Sequence, residues 1–340
     1  MPVLIIAEAG VNHNGSPALA RQMALAAKQA GADVVKFQTC VPELVASRFA
    51  QKAAYQKQQT GAQESQLEMI RRLHFGFEEH MALRRYCEEI GICYLSTAFD
   101  LPSADFLIGQ QLPFYKIPSG EMTNLPSLER MAAAGRPLLV STGMCEKPEI
   151  AAALQVLRGG GAGKITLLHC NTEYPTPFED ANLRAMQDLA QTFGCPVGYS
   201  DHTPGVEAAV AAVALGAVVI EKHFTLDKSM EGPDQKASLS VSELQQLCSA
   251  IRHVEAAMGD GKKHVTASEA RNRAAARKSI VAARPIAAGE TYTAENLTVK
   301  RPGIGVSPMH WYQVLGQRAP RAYEADECIE AALSPQEDTL

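Results

Sequence analysis

The chain has no excess of basic residues, no long apolar run and no closely paired cysteines, and each absence removes a class of function. Its 340 residues carry 32 Lys and Arg against 37 Asp and Glu, a formal charge of −5, so nothing suggests a nucleic-acid surface. No stretch approaches the roughly 18 consecutive apolar residues of a membrane span. The first apolar run begins almost at once and is cut by Glu8, so a cytoplasmic location is expected. The 8 cysteines include no CxxC pair, which fits reduced thiols better than a disulfide frame. Cys170 reads as a small buried hydrophobe. Neither a Walker loop nor a dinucleotide fingerprint is present. The glycine-rich run Gly159–Gly163 precedes a strand instead of following one, and so reads as a flexible connection.

What is present is a series of short Val-, Ile- and Leu-rich runs, each ending in polar residues. Val3–Ala7 leads to Glu8, Val34–Val35 to Lys36 and Gln38, Ile92–Leu95 to Ser96 and Thr97, and Phe114–Tyr115 to Lys116 and Ser119. Leu138–Val140 leads to Ser141 and Thr142, Ile165–Leu168 to His169 and Asn171, Val197–Tyr199 to Ser200, Asp201 and His202, and Val218–Ile220 to Glu221 and His223. Such runs suit strands buried on both faces of a parallel sheet. Helix-like segments alternate with them: 19–29, 78–90, 103–108, 127–134, 149–157, 183–193, 206–215 and 242–258. Eight such units are the number that closes a (β/α)₈ TIM barrel, whose active-site face is formed by the C-terminal strand ends. The polar residues fall at those ends. Loop starts seldom place Lys, Glu and His directly after buried strands, so chemistry explains the pattern better than loop composition does.

The barrel pattern stops near Met258. The expected division is a TIM-barrel catalytic domain over 1–262, a polar linker over 263–278 and a small β-rich domain over 279–340. A tail of about sixty residues is marginal alone and should dock on a barrel, its own or a partner's.

Three sets of candidate residues emerge. His202 and His223 end adjacent strands, where neutral imidazoles with Asp201 and Glu221 nearby suit a divalent first-row metal with open coordination positions. His13 and His169 are secondary candidates. Lys36, Lys116, Ser119, Ser141 and Ser200 make an anion cradle able to hold a phosphate together with a carboxylate. Glu8, Asp201, Glu221 and Asp234 are the acid/base carboxylates; Glu8 at a buried strand end needs a metal, a lysine or a substrate to meet its charge.

The strings AEAGVNHNG (7–15), VKFQT (35–39), STAFD (96–100), YKIPSGE (115–121), STGM (141–144), HCNTEYPTPFED (169–180), GYSDHT (198–203), EKHFTLDKSMEGPD (221–234), ARKSI (276–280) and KRPG (300–303) resemble bacterial sialic acid synthases of the N-acetylneuraminate synthase type. The resemblance implies a TIM barrel followed by an antifreeze-protein-like SAF domain in a domain-swapped homodimer. It implies condensation of phosphoenolpyruvate with N-acetylmannosamine and water, giving N-acetylneuraminate and phosphate. It assigns His202 and His223 to Mn²⁺, with Mg²⁺ or Co²⁺ as alternatives. Lys36, Thr97, Lys116, Ser119, Ser141, Asn171 and Ser200 would surround phosphoenolpyruvate. Glu8, Gln38, Tyr174 and Asp234 would contact the amino sugar, with Glu8 also a candidate for proton transfer, and Arg301 would reach the sugar's acetyl group across the dimer. Two positions depart from the family pattern. Gln235 stands where a histidine is usual, and Ile304 where an asparagine is common; both lie on the sugar side. The alternative product is therefore N,N′-diacetyllegionaminate, made by the same condensation on 2,4-diacetamido-2,4,6-trideoxymannose. A metal-dependent aldolase on the same barrel is a more distant alternative.

Overall fold

The computed structural model describes residues 2–60 and 63–333, and the last seven positions of the expected tail lie outside them. They form two compact units, Met1–Gly259 and Asp260–Leu340.

The first unit is a closed parallel barrel of β1 (Leu4–Gly10), β2 (Val34–Thr39), β3 (Cys93–Ala98), β4 (Tyr115–Ile117), β5 (Leu138–Ser141), β6 (Ile165–His169), β7 (Val197–Asp201) and β8 (Val219–His223), with β8 hydrogen-bonded back to β1. Helix α1 (Pro17–Ala30) follows β1. Between β2 and the barrel helix come three helices, α2 (Pro42–Val45), α3 (Ala54–Thr60) and α4 (Gln66–Leu73), and the barrel helix itself is α5 (Phe77–Ile90). The remaining strands are followed by α6 (Leu101–Gly109), α7 (Leu125–Ala133), α8 (Lys147–Gly159), α9 (Ala185–Phe193), α10 (Glu207–Ala214) and α11 (Val241–Met258). Local chemistry sets their ends. Ser16 caps α1 ahead of its first-turn proline, Gly31 closes it in the left-handed conformation, and Ser240 with Glu243 forms a capping box on α11. Strand side chains such as Ile5, Ile6, Phe37, Leu95 and Ile220 are almost wholly removed from water, each burial contributing about 1.5–3 kcal/mol.

The α2–α4 excursion is additional to the eight expected helices. Its pieces are only 4, 7 and 8 residues long, so although Met69, Ile70 and Leu73 stand at helical spacing on the buried face of α4, the pattern is too short to separate a helix from a loop by periodicity. Among the described residues, no helix is long and apolar enough to cross a membrane.

In the second unit the stretch expected as a linker contains α12 (Ala267–Ala276), begun by a Thr266–Glu269 capping box and exposed along its whole length. A helix with no buried face carries no amphipathic stripe, which is why composition alone read as linker. Strands β9 (Ser279–Ala282) and β10 (Leu297–Lys300) pair antiparallel, and short α13 (Trp311–Val314) follows. Ile280, Ile286, Tyr292, Leu297, Val314 and Tyr323 share a small core.

Close packing of the barrel wall gives a first test. A Cβ on Gly198 in β7 would lie 2.5 Å from the Val219 carbonyl oxygen and 2.6 Å from Leu168. Gly198→Ala is therefore expected to lower the unfolding free energy by about 1–3 kcal/mol, read from urea denaturation. An unchanged midpoint would contradict this wall geometry.

Candidate active site

Strand alternation sorts the polar strand ends into two groups. Ser200 pairs with Glu221 and Asp201 with Lys222 between β7 and β8. Successive side chains point to opposite faces, so Ser200, Glu221 and His223 face one way and Asp201 and Lys222 the other. On that other side the Lys222 ammonium lies 2.5 Å from Asp201 Oδ2 and donates to the Thr203 carbonyl at 2.7 Å, while Asp201 Oδ1 accepts from the Thr203 amide at 2.9 Å. Asp201 is thus a structural counter-ion, which corrects its place among the acid/base and metal-side carboxylates.

The inward group lines a cavity of about 420 Å³ that includes Glu8, Lys36, Gln38, Thr97, Lys116, Ser119, Ser141, Tyr174, Ser200, His202, Glu221 and His223. Four charges form its floor. Lys36 Nζ lies 2.7 Å from Glu8 Oε2 and 3.6 Å from Glu221 Oε2, and Lys116 Nζ lies 3.5 Å from Glu221 Oε1. Lys36 also donates to Thr97 Oγ1 at 3.2 Å, and Ser200 donates to Glu221 Oε1 at 2.9 Å. Burial raises the Glu8 carboxyl above its ordinary range despite Lys36 beside it. Burial pushes Glu221 the same way, but Lys116 and Lys36 outweigh it and hold that carboxylate low. Burial lowers Lys116 against the pull of Glu221. The Ser119 hydroxyl accepts from the Gly143 amide at 2.9 Å, whereas the buried Ser141 hydroxyl has no hydrogen-bond partner. Two ammoniums and an unpaired hydroxyl in one pocket suit a small, multiply charged anion.

At the other end the His202 and His223 ring centroids are 5.5 Å apart, and Tyr174 packs on both at 4.2 and 5.8 Å. The Asn171 carbonyl faces His202 Nδ1 and fixes that ring. His223 Nδ1 is buried without a hydrogen-bond partner, with Asp234 Oδ2 3.9 Å away. Burial lowers His202 to about 4 and, with His202 nearby, takes His223 well down too, so both rings are neutral at physiological pH. Burial raises Asp234 to about 6. Neutral imidazoles, one with an unpaired nitrogen, are a donor set that fits a divalent ion with its other positions open. Among the described residues no group of three or more His, Cys, Asp or Glu could hold a metal.

Several expected residues lie elsewhere. The Asn171 side chain accepts from the Glu173 amide at 2.8 Å and is not part of the cavity wall; its carbonyl, not its amide, serves the site. Asp234 lines an adjoining cavity of about 260 Å³ that shares Gln38, Tyr174 and His223 with the first. Its turn is held by Gln235, whose Nε2 donates to the Asn12 carbonyl at 3.0 Å and whose Oε1 accepts from Thr225, so this departure from the family pattern has a structural use. Arg301 belongs to the second unit, exposed, with Nε donating to the Ala276 carbonyl at 3.1 Å. Ile304 is exposed in the same unit. The His13 ring is buried with its centroid 4.4 Å from that of Phe75, and His169 Nε2 donates to the Ala181 carbonyl at 2.9 Å; neither lines the cavity. Sequence reasoning missed Gln56 and Gln66, which line the cavity from α3 and α4, together with Met144 and Thr172. The two glutamines lay in a segment where no element was foreseen.

The two faces of β8 predict different responses to charge removal. Asp201→Asn leaves Lys222 buried without its counter-ion and should cost about 3–5 kcal/mol. Asp188→Asn breaks a half-exposed 2.7 Å pair with Lys147, and should cost less than about 1 kcal/mol. Equal denaturation midpoints for the two variants would overturn the assignment of the Asp201 pair.

The comparisons with known proteins agree with this architecture. The NeuB family matches residues 23–263, and the SAF domain matches residues 277–333. Over 328 residues the chain is 50% identical to the N,N′-diacetyllegionaminic acid synthase of Campylobacter jejuni, covering 96% of this chain and 98% of that one. It is 42% identical over 322 residues to the protein of the same name from Legionella pneumophila, covering 94% and 90%. Among solved structures, the N-acetylneuraminic acid (sialic acid) synthetase of Leptospira borgpetersenii superposes with a TM-score of 0.70 at 32% identity, covering 80% of this chain and 90% of that one. With family match, barrel and cavity in agreement, the chain belongs to the NeuB family of sialic-acid-synthase-like enzymes, with a SAF domain following the barrel.

Proposed function

We propose that the protein is a phosphoenolpyruvate-condensing synthase whose product is N,N′-diacetyllegionaminate. C3 of phosphoenolpyruvate bonds to the aldehyde carbon of open-chain 2,4-diacetamido-2,4,6-trideoxymannose, water adds at C2, and phosphate leaves to give a nine-carbon 2-keto acid. One observation carries the reading: two buried lysines and an unpaired serine hydroxyl share a cavity with two neutral imidazoles. The first group suits the phosphate and carboxylate of phosphoenolpyruvate, and the second suits the sugar aldehyde. The leading expectation from sequence, N-acetylmannosamine, gives way to its alternative. Two relatives named for diacetyllegionaminic acid are 50% and 42% identical, against 32% for the structure named for sialic acid.

Lys36 and Lys116 neutralise the anion, with Thr97, Ser119, Ser141 and Ser200 as hydroxyl partners. Asn171 acts through its carbonyl on His202. Gln38, Tyr174 and Asp234 bind the amino sugar. Glu8, kept partly protonated by burial, gives a proton to the aldehyde oxygen as the carbon–carbon bond forms and takes one from the water that adds at C2. A divalent ion on His202 and His223, Mn²⁺ in the first instance, would polarise the aldehyde as a Lewis acid.

Phosphate release from phosphoenolpyruvate with Mn²⁺ tests the reading, with the diacetamido sugar and N-acetylmannosamine in parallel. Higher kcat/KM is expected for the diacetamido sugar; the reverse would return the sialate reading, and release with neither would reject both. Lys116→Ala should raise the KM for phosphoenolpyruvate by roughly tenfold or more, and His223→Ala should abolish metal-stimulated turnover. Normal turnover in both variants would reject the assigned roles. Residues 1–265 alone should keep the barrel's circular dichroism yet lose most turnover, because the resemblance gives the SAF domain a place in the homodimer's sugar site. Full activity from that fragment would remove Arg301 from the reaction.

A further inference from the structure

The adjoining cavity has an asymmetry that the reaction does not require. It shares Gln38, Gln56, Gln66, Phe99, Tyr174 and His223 with the main cavity but includes neither Lys36 nor Lys116, so it extends from the imidazole end away from the anion cradle. The walls that belong to it alone are apolar except for His74 and Asp234. Helix α4 supplies most of that lining. Met69, Ile70 and Leu73 form its buried face, Val11 packs with Met69 and Leu73, and Cys40 lies in the cluster with Ile70. Asp234 stands against His223, at the aldehyde side of this space.

We propose that the apolar wall that α4 gives this mixed pocket is the subsite for the C6 methyl group of the sugar, and that Met69 and Ile70 set the preference for a 6-deoxy substrate. The inference rests on the legionaminate reading and deepens it. With its aldehyde at the imidazoles, an open-chain sugar that extends away from the lysines past Gln38, Tyr174 and His223, which both cavities share, enters this space and reaches α4. A methyl group there is removed from water against sulfur and aliphatic carbon. A hydroxyl held against that wall loses its water and meets Met69, Ile70 and Leu73, none of which offers a strong partner, so it must turn toward the glutamines and His74 of the other lining and give up the α4 contact. The segment before α5 thereby selects the sugar, while the strands carry the reaction.

The test uses two sugars that differ at one atom: 2,4-diacetamido-2,4,6-trideoxymannose and its 6-hydroxy counterpart, 2,4-diacetamido-2,4-dideoxymannose. For the unmodified full-length protein, kcat/KM should favour the 6-deoxy sugar by roughly 10–100-fold, the range a hydrophobic pocket gives against an added hydroxyl. Met69→Gln and Ile70→Thr should each narrow that ratio by roughly fivefold or more, with the KM for phosphoenolpyruvate unchanged. A ratio near one for the unmodified protein overturns the proposal without any variant. So does an unchanged ratio in either variant whose thermal midpoint is intact, which also covers the case where the other fails to fold. Turnover of both diacetamido sugars with equal efficiency removes the methyl subsite and leaves the proposed reaction standing. Turnover of neither, with N-acetylmannosamine accepted, removes the legionaminate reading and the subsite with it.

Discussion

The site depends on a buried set of compensating charges: Glu8, Lys36, Glu221 and Lys116 meet inside the barrel within 3.6 Å of their partners. Separately, each charge would be prohibitively costly at that depth; together they are tolerated, though an apolar core of equal volume would be no less stable. Two lysines inside a barrel cannot stay charged without counter-ions, and Glu221 supplies one that touches both. The ammonium groups are thereby in place and oriented in advance, the preorganisation on which electrostatic stabilisation of an anion depends.

This arrangement follows from strand register. Glu8 lies opposite Lys36 on one side and His223 on the other, Ser200 lies opposite Glu221, and Thr97 lies opposite Lys116. Each pairing brings together groups from segments far apart in sequence, and backbone hydrogen bonding, not long side chains, keeps them aligned. The same register forms the Asp201–Lys222 pair behind the wall, so β7 and β8 are locked electrostatically on both faces.

Much of this was readable because a parallel strand buried on both faces is a continuous apolar run, and a polar residue that interrupts one stands out. Lys36, Lys116 and Glu8 were visible for that reason, as were His202 and His223. The side to which a polar residue points was harder to read. In Ser200-Asp201 and Glu221-Lys222 the neighbours are equally polar, and only the pairing of strands tells which member faces the cavity. For Asn171 sequence gives no hint that its backbone carbonyl faces His202 while its side chain turns to the Glu173 amide. Helices α2 to α4 were missed because none exceeds 8 residues, and α12 because it buries no face.

Strand β8 sets one further quantity. Glu221 and His223 are two residues apart on the same face, so the lysine and imidazole halves of the cavity are separated by two steps of extended backbone, about 6.6 Å. A backbone ruler of this kind does not stretch with the size of the guest. The spacing between the two halves is set by peptide geometry and not by side-chain length, so a substitution at Glu221 or His223 changes what its half offers without moving the halves apart.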